Sequence, residues 1–178
     1  MHVFAWNIGK SLTTLASKDA VRQRLSLADI IILTEVGVSS TEDFSERFTL
    51  PVSTGFVWHV KPRPFKHPRA KSYSGGVAIG VGPAFKSHTS VVQGISSCDG
   101  VLWVRIGPEA TGLPKDLYIC GVYVQPKLKK KTRDVYTPDP SVIWNALQQD
   151  VLHFRQRGLV LCGGDFNARI GLRSEQID

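Results

Sequence analysis

The sequence predicts an α/β fold, a layered sandwich in which helices cover strand-rich sheets. Three observations carry this. Apolar runs of strand length recur along most of the chain, at 3–6, 29–33, 56–60, 76–81, 101–106, 117–124 and 159–162. Clear helical spacing is confined to about 17–28 and to the segment that opens at Asp139-Pro140. Four of the apolar runs also lead into an amide, carboxylate or phenol side chain, as strands do when their ends build a site.

In chain order, residues 3–6 form a short strand that ends at Asn7-Ile8-Gly9. In the helix at about 17–28, Ser17 can cap the start and Asp19 suits the positive end. Val21, Leu25 and Ala28 share a face. Asp29-Ile30-Ile31-Ile32-Leu33 is a β-branched run of the fully buried type, ending at Thr34-Glu35. Residues 39–50 are polar with Phe44, Phe48 and Leu50 interspersed, the pattern of a short helix. A strand at 56–60 precedes a Lys/Arg/Pro-rich loop at 61–71, and a strand at 76–81 follows it. Val91-Val92 and 101–106 are two more strands, separated by the turn chemistry of Ser96-Ser97-Cys98-Asp99-Gly100. Residues 117–124 are another. The clearest helix has Asp139 as cap and Pro140 in its first position. Ile143, Leu147, Val151 and Phe154 make its apolar stripe, and Gly158 stops it. The last strand, 159–162, stops at Gly163-Gly164.

The 178 residues can bury a substantial core, and no repeat or linker divides them, so 1–178 is read as a single domain. No apolar run approaches the ~20 residues of a membrane helix, and no membrane partner is expected. The N-terminus has neither the basic region nor the long apolar segment of a signal peptide. Cys98, Cys120 and Cys162 are odd in number and lack metal-ligand spacing. Cys120 and Cys162, inside apolar strand patterns, read as small buried hydrophobes, and the set favours a reducing, intracellular compartment. The net charge of +7 attracts polyanions, nucleic acid or anionic lipid.

The chemistry concentrates at strand ends. After Gly163-Gly164 come Asp165 and Asn167, two apart and so on one side of an extended chain. A carboxylate can deprotonate a water, and an amide can bond a phosphate oxygen. Strand 3–6 ends at Asn7, strand 29–33 at Glu35, and strand 117–124 carries Tyr123 and leads to Gln125. If these strands lie side by side, the groups converge on one rim. Oxygen donors without thiolate select Mg²⁺, with Mn²⁺ as the alternative. Each residue alone has a plainer role: Asn7 in a turn, Glu35 as a surface charge, Tyr123 as a half-buried aromatic, and Asp165 with Asn167 as an Asx loop.

Two basic clusters flank this set. Lys61, Arg63, Lys66, Arg69 and Lys71 form one, and Lys127, Lys129, Lys130, Lys131 and Arg133 the other. They are either solvated loops or a grip on the phosphate backbone. The run Lys129-Lys130-Lys131 also has the form of a short nuclear-import signal.

The segments Ala5-Trp6-Asn7, Leu33-Thr34-Glu35, Gly75-Gly76-Val77-Ala78-Ile79, Gly121-Val122-Tyr123 and Gly164-Asp165-Phe166-Asn167-Ala168-Arg169 resemble, in matching order, the endonuclease/exonuclease/phosphatase superfamily. The nearest likeness is to the apurinic-type endonuclease domain of non-LTR (LINE-like) retrotransposons, to which the Ser97-Cys98-Asp99-Gly100-Val101-Leu102-Trp103 strand also conforms. The resemblance implies a deoxyribonuclease-like, four-layered α/β sandwich of two mostly antiparallel sheets. It implies that Glu35, assisted by Asn7, binds the divalent metal and that Asp165 orients or activates the attacking water. Asn167 and Tyr123 would bond the scissile phosphate. The implied activity is Mg²⁺-dependent nicking of DNA, with a reverse transcriptase domain of a longer polyprotein as partner and the nucleus as location.

The chain departs from that pattern at its end. Family members continue into a segment with a Ser-Asp-His-like motif, and none of His2, His59, His67, His88 and His153 follows Asp165. The expectation is a domain missing its last strands, weakly active or inactive as it stands. Alternatives are a catalytically impaired fragment that binds nucleic acid without cutting, an abasic-site nuclease, or a phosphoinositide phosphatase.

Overall fold

A computed structural model describes residues 1–9, 19–48, 55–63, 73–95, 98–125 and 139–168. The elements run β1 (Val3–Asn7), α1 (Asp19–Ser26), β2 (Ile30–Thr34), α2 (Thr41–Arg47), β3 (Val57–Lys61), β4 (Val77–Val81), β5 (Thr89–Val92), β6 (Val101–Ile106), α3 (Pro108–Thr111), β7 (Asp116–Tyr123), α4 (Pro140–Arg155) and β8 (Gly158–Asp165), with a 3₁₀ turn at Lys86–His88 before β5.

Two four-stranded sheets form, in the orders β1-β2-β4-β3 and β5-β6-β7-β8. Each holds one parallel pair, β1 with β2 and β7 with β8, and its other pairings are antiparallel. The sheets are therefore mixed. The expectation that four strands lie side by side is corrected here. They form two parallel pairs, one in each sheet, and the polar ends meet across the gap between the sheets.

Alternation along the strands builds three apolar layers. Ile30, Ile32, Val77, Ile79 and Val81 face Leu102, Val104, Ile106, Leu117 and Ile119 between the sheets. Outside the first sheet, Ile31 and Leu33 pack with Leu25 of α1 and with Phe44 of α2. Outside the second, Trp103, Tyr118, Cys120 and Val122 pack with Ile143, Leu147 and Phe154 of α4. The result is helix, sheet, sheet, helix. Each strand of β2 and β4 is buried on both faces, which is why their sequences are continuous apolar runs.

Local chemistry accounts for the boundaries. Ser40 caps α2, its hydroxyl accepting from the Asp43 amide at 3.1 Å. Asp139 caps α4 by accepting from the Ser141 amide at 3.0 Å, with Pro140 in the first turn. Ser17, the expected cap of α1, lies outside the described residues. α4 ends at Arg155, before Gly158, which instead opens β8. A Cβ at Gly158 would sit 2.2 Å from the Asp116 carbonyl, so that glycine serves strand contact and does not stop the helix. Gly163 and Gly164 do not end the strand either, since β8 runs through both to Asp165. Gly163 lies opposite Gly121 in register, and a Cβ at Gly163 would meet Ile32 Cδ1 of the other sheet at 2.9 Å. These small residues let the sheets close together beneath the strand ends. The three cysteines are free, with Cys120 and Cys162 opposite each other in β7 and β8.

Candidate active site

Asn7 is the last residue of β1 and pairs with Thr34, the last residue of β2. Tyr123 is the last residue of β7 and pairs with Asp165, the last of β8. Two strand ends of one sheet thus stand against two of the other. Asn7 Nδ2 donates to Glu35 Oε1 at 3.1 Å and to Asp165 Oδ2 at 2.5 Å. One amide therefore joins a carboxylate from each sheet. Its orientation is held by the Gly9 amide, which donates to Asn7 Oδ1 at 2.9 Å.

Tyr123 OH donates to Glu35 Oε1 at 2.9 Å. Burial, and then the bond to Glu35, push the Tyr123 phenol far above its ordinary range. It stays protonated and remains a donor throughout the usable pH range. Asp165 is fixed through two contacts. Its carbonyl accepts from the Val124 amide at 2.8 Å, and its Oδ1 accepts from the Asn167 amide at 2.9 Å. The second is an Asx turn, so this turn, and not strand alternation, sets Asn167 beside Asp165. Asn167 Nδ2 donates to the Val124 carbonyl at 2.6 Å, which uses one of its two amide hydrogens.

The backbone is strained here. Glu35 has φ 55° and Asn167 has φ 45°, the two positive-φ residues other than glycine among the described residues. Gly75 and Gly76, at φ 79° and 84°, bring main chain against the same site. A Cβ on Gly75 would lie 3.4 Å from the Tyr123 ring and 3.2 Å from Arg63 Cδ. The Gly75 carbonyl accepts from the Gly37 amide at 2.9 Å, which ties the loop after Glu35 to the start of β4. Sequence reasoning did not give these glycines a role, although two glycines ahead of an apolar run mark a close backbone approach.

The structure brings Asn7, Glu35, Tyr123, Asp165 and Asn167 together. Arg63 lines the same recess as Tyr123, Gly76 and Gln125, and its Nη1 donates to Ser74 Oγ at 3.2 Å. Lys61 turns inward, and its Nζ donates to the Cys98 carbonyl at 2.6 Å and the Val101 carbonyl at 3.0 Å. Lys66, Arg69, Lys71, Lys127, Lys129, Lys130, Lys131 and Arg133 lie outside the described residues. Among the described residues no three His, Cys, Asp or Glu side chains gather around a point. No helix among them is long and apolar enough to cross a membrane.

A model of the Endonuclease/Exonuclease/phosphatase family matches residues 4–174. Comparison with curated proteins finds no match. Among solved structures, the chain is similar to AP endonuclease LMAP from Leishmania major, with a TM-score of 0.63, 18% identity, and coverage of 93% of this chain and 55% of that one. It is also similar to TDP2 from Caenorhabditis elegans, with a TM-score of 0.54, 20% identity, and coverage of 94% and 48%. D. rerio TDP2, complexed with a single-strand DNA product, matches with a TM-score of 0.51, 13% identity, and coverage of 94% and 60%. At these identities the likeness is one of fold. The chain spans about half the length of the Leishmania major and Caenorhabditis elegans structures.

Proposed function

Because the chain belongs to the endonuclease/exonuclease/phosphatase family, we propose that it hydrolyses phosphodiester bonds in DNA with a divalent cation, as the nicking domain of a non-LTR retrotransposon. The observation that carries this is the Asn7 amide, which joins Glu35 and Asp165 across the gap between two sheets. Evolution of a merely stable surface has no need to gather two carboxylates at one strained rim.

The donor chemistry fits a hard cation. The oxygens at the rim are those of the Glu35 and Asp165 carboxylates, and among the described residues no cluster adds thiolate or imidazole to them, which suits Mg²⁺ or Mn²⁺. Both Asn7 and Tyr123 donate to Oε1 of Glu35, which leaves its second oxygen for an ion among the described residues. Among the described residues fewer than three acidic, His or Cys side chains gather, and Mg²⁺ commonly keeps several waters or takes substrate oxygens. Glu35 would hold the ion, with Asn7 orienting its carboxylate through Nδ2, and the ion would supply charge stabilisation at the phosphate.

The chain's own groups do the rest. Asp165 accepts a proton from the attacking water, its carboxylate aimed by Asn7 and by the Asn167 main chain. Tyr123, kept protonated, would turn its single O–H from Glu35 to a phosphate oxygen when substrate binds, and the second amide hydrogen of Asn167 would donate there too. Arg63, Lys66, Arg69 and Lys71, with the cluster at 127–133, would grip the flanking backbone, and Lys61, turned onto the Cys98 and Val101 carbonyls, would not. The retroelement role, nuclear location and reverse transcriptase partner are supported by the ordered motifs and the charge, +7 over 178 residues.

The test is Mg²⁺-dependent nicking of supercoiled plasmid, with Asp165→Ala as control. The expected result is nicking that falls at least about a hundredfold in the mutant, the scale of a lost general base. Equal nicking by both proteins would remove Asp165 from the mechanism. No nicking by a folded chain would leave a nucleic-acid-binding remnant. Preference for an abasic duplex, or for a soluble phosphoinositide, would reassign the substrate within the family.

A further inference from the structure

We infer that Lys61 is a positioning residue that holds Tyr123 in place from the opposite sheet, and is not a phosphate contact. The inference rests on the reading that Tyr123 acts in the site.

Lys61 ends β3, the edge strand of the first sheet. Register sets it level with Val77 and Thr34, and so with Asn7, three strands away or about 14 Å along the rim. Its net-charge context and its place in a basic run suggest a surface cation. Its contacts are otherwise. The ammonium reaches across to the second sheet and donates to the Cys98 and Val101 carbonyls at 2.6 and 3.0 Å. Two of its three hydrogens are thereby used inside the protein.

Those carbonyls bracket a tight turn. The Val101 amide donates to the Cys98 carbonyl at 3.2 Å, and Cys98 is buried. Inside the turn, the Gly100 carbonyl accepts from the Tyr123 amide at 2.8 Å. A Cβ on Gly100 would lie 2.4 Å from the Tyr123 carbonyl oxygen, so the turn lies flush on the Tyr123 main chain. Tyr123 in turn donates to Glu35. The path is short and made of hydrogen bonds: ammonium, turn, tyrosine backbone, carboxylate. A cation is suited to this work, because charge-assisted bonds to carbonyls are stronger than neutral ones.

The decisive measurement is amide hydrogen exchange by NMR on the full chain, comparing wild type with Lys61→Met and Lys61→Arg. In Lys61→Met the Tyr123 and Val101 amides are expected to exchange at least about tenfold faster, while amides of β2 keep their wild-type rates. Lys61→Arg retains a cation for both carbonyls and keeps most of the protection. Should Lys61→Met not fold, Lys61→Gln takes its place. A folded Lys61→Met with a fully protected Tyr123 amide overturns the inference, as does a uniform rise at every amide.

Nicking supplies the second arm. Lys61→Met is expected to lower kcat by about ten- to a hundredfold at unchanged KM, the scale of a small misplacement. In a Tyr123→Phe background it adds nothing further. A phosphate contact would instead lower the salt slope of DNA binding by about one, and that result also overturns the inference. If Tyr123→Phe nicks at the wild-type rate, the assignment of Tyr123 to catalysis fails, and the exchange data still decide whether Lys61 holds it.

Discussion

Asn7→Asp strikes the one group that both carboxylates share. The substitution keeps the shape of the side chain and leaves Oδ1 to accept from the Gly9 amide. It deletes the N–H group that serves Glu35 at 3.1 Å and Asp165 at 2.5 Å. Hydrogen bonds to charged groups contribute about 1.5–3 kcal/mol each. All three side chains are half-buried and partly rehydrate, so the low end applies, about 3 kcal/mol for the two. The new carboxylate also repels its neighbours, by about 4 kcal/mol per pair at ~4 Å and an effective dielectric of ~20. That repulsion is relieved only when a proton or a cation enters. A domain of this length loses about 2–4 °C of Tm per kcal/mol, so the lost bonds alone lower the melting point by about 6–12 °C, and in EDTA the repulsion lowers it further until a proton is taken up. Excess Mg²⁺ returns much of this, since a ligand at about a hundred times its Kd stabilises by about 2.7 kcal/mol. The assay is thermal unfolding by circular dichroism at neutral pH, with and without Mg²⁺. Asn7→Ala is the control, losing the bonds without adding charge, and it falls less and regains less. Asn7→Asp melting with wild type in EDTA, or responding to Mg²⁺ no more than wild type, would refute the bridge.

Gly121→Val tests the closeness of the sheets. Its Cβ alone would sit 2.6 Å from Val77 Cγ1 and 3.3 Å from methyls of Ile32 and Ile79, so urea unfolding should show a loss of about 1–3 kcal/mol from overpacking, with nicking reduced. Trp103→Phe removes the indole N–H that donates at 2.9 Å to Asp150, whose side chain is 1% exposed. With one donor fewer on a buried carboxylate, the same measurement should show about 1–3 kcal/mol lost. Burial holds the His59 imidazole below its ordinary pKa. The unfolded chain therefore takes up a proton near pH ~6.5 that the folded chain does not, so His59 contributes fully above that pH and its contribution is lost as pH falls toward the folded value. Stability measured from pH 7 downward should decline less steeply in His59→Gln, and an identical slope would remove His59 from the linkage.

The strands were readable because burial writes itself into composition. Ile30 to Leu33 are four apolar residues in a row, and β2 is buried on both faces. The start of α4 was equally plain, since Asp139-Pro140 is a local signal that needs no partner. Glycines were the weak point. Gly158, Gly163 and Gly164 look like punctuation when seen alone. Each is in fact a strand residue whose missing Cβ admits a neighbour: the Asp116 carbonyl, the Ile32 methyl and the Val122 carbonyl. A neighbour from another strand leaves no mark in local sequence. The short α3 was missed although its signals were present, Pro108 in the first turn and Gly112 at φ 67° just past the end. The role of Lys61 was unreadable for the same reason as the glycines. Its carbonyl partners come from residues 37 and 40 positions away.

The conformation of Glu35 ties the fold to the site most closely. Strand alternation would send its side chain to the same face as Leu33 and Ile31, into the layer covered by the first two helices. A φ of 55° redirects it. The left-handed region costs a non-glycine L-residue about 1–2 kcal/mol, and glutamate lacks the short side chain that lets Asn167 adopt it more readily. The turn brings the carboxylate to Asn7 of its own sheet and to Tyr123 of the other. Those two bonds offset the strain, and they are bonds that only a redirected carboxylate can make. Glycine at position 35 would adopt this backbone freely, so backbone economy does not account for a glutamate there. The side chain is what the strained turn delivers, so the placement of Glu35 beside Asn7 and Tyr123 has a physical reason that does not depend on family resemblance.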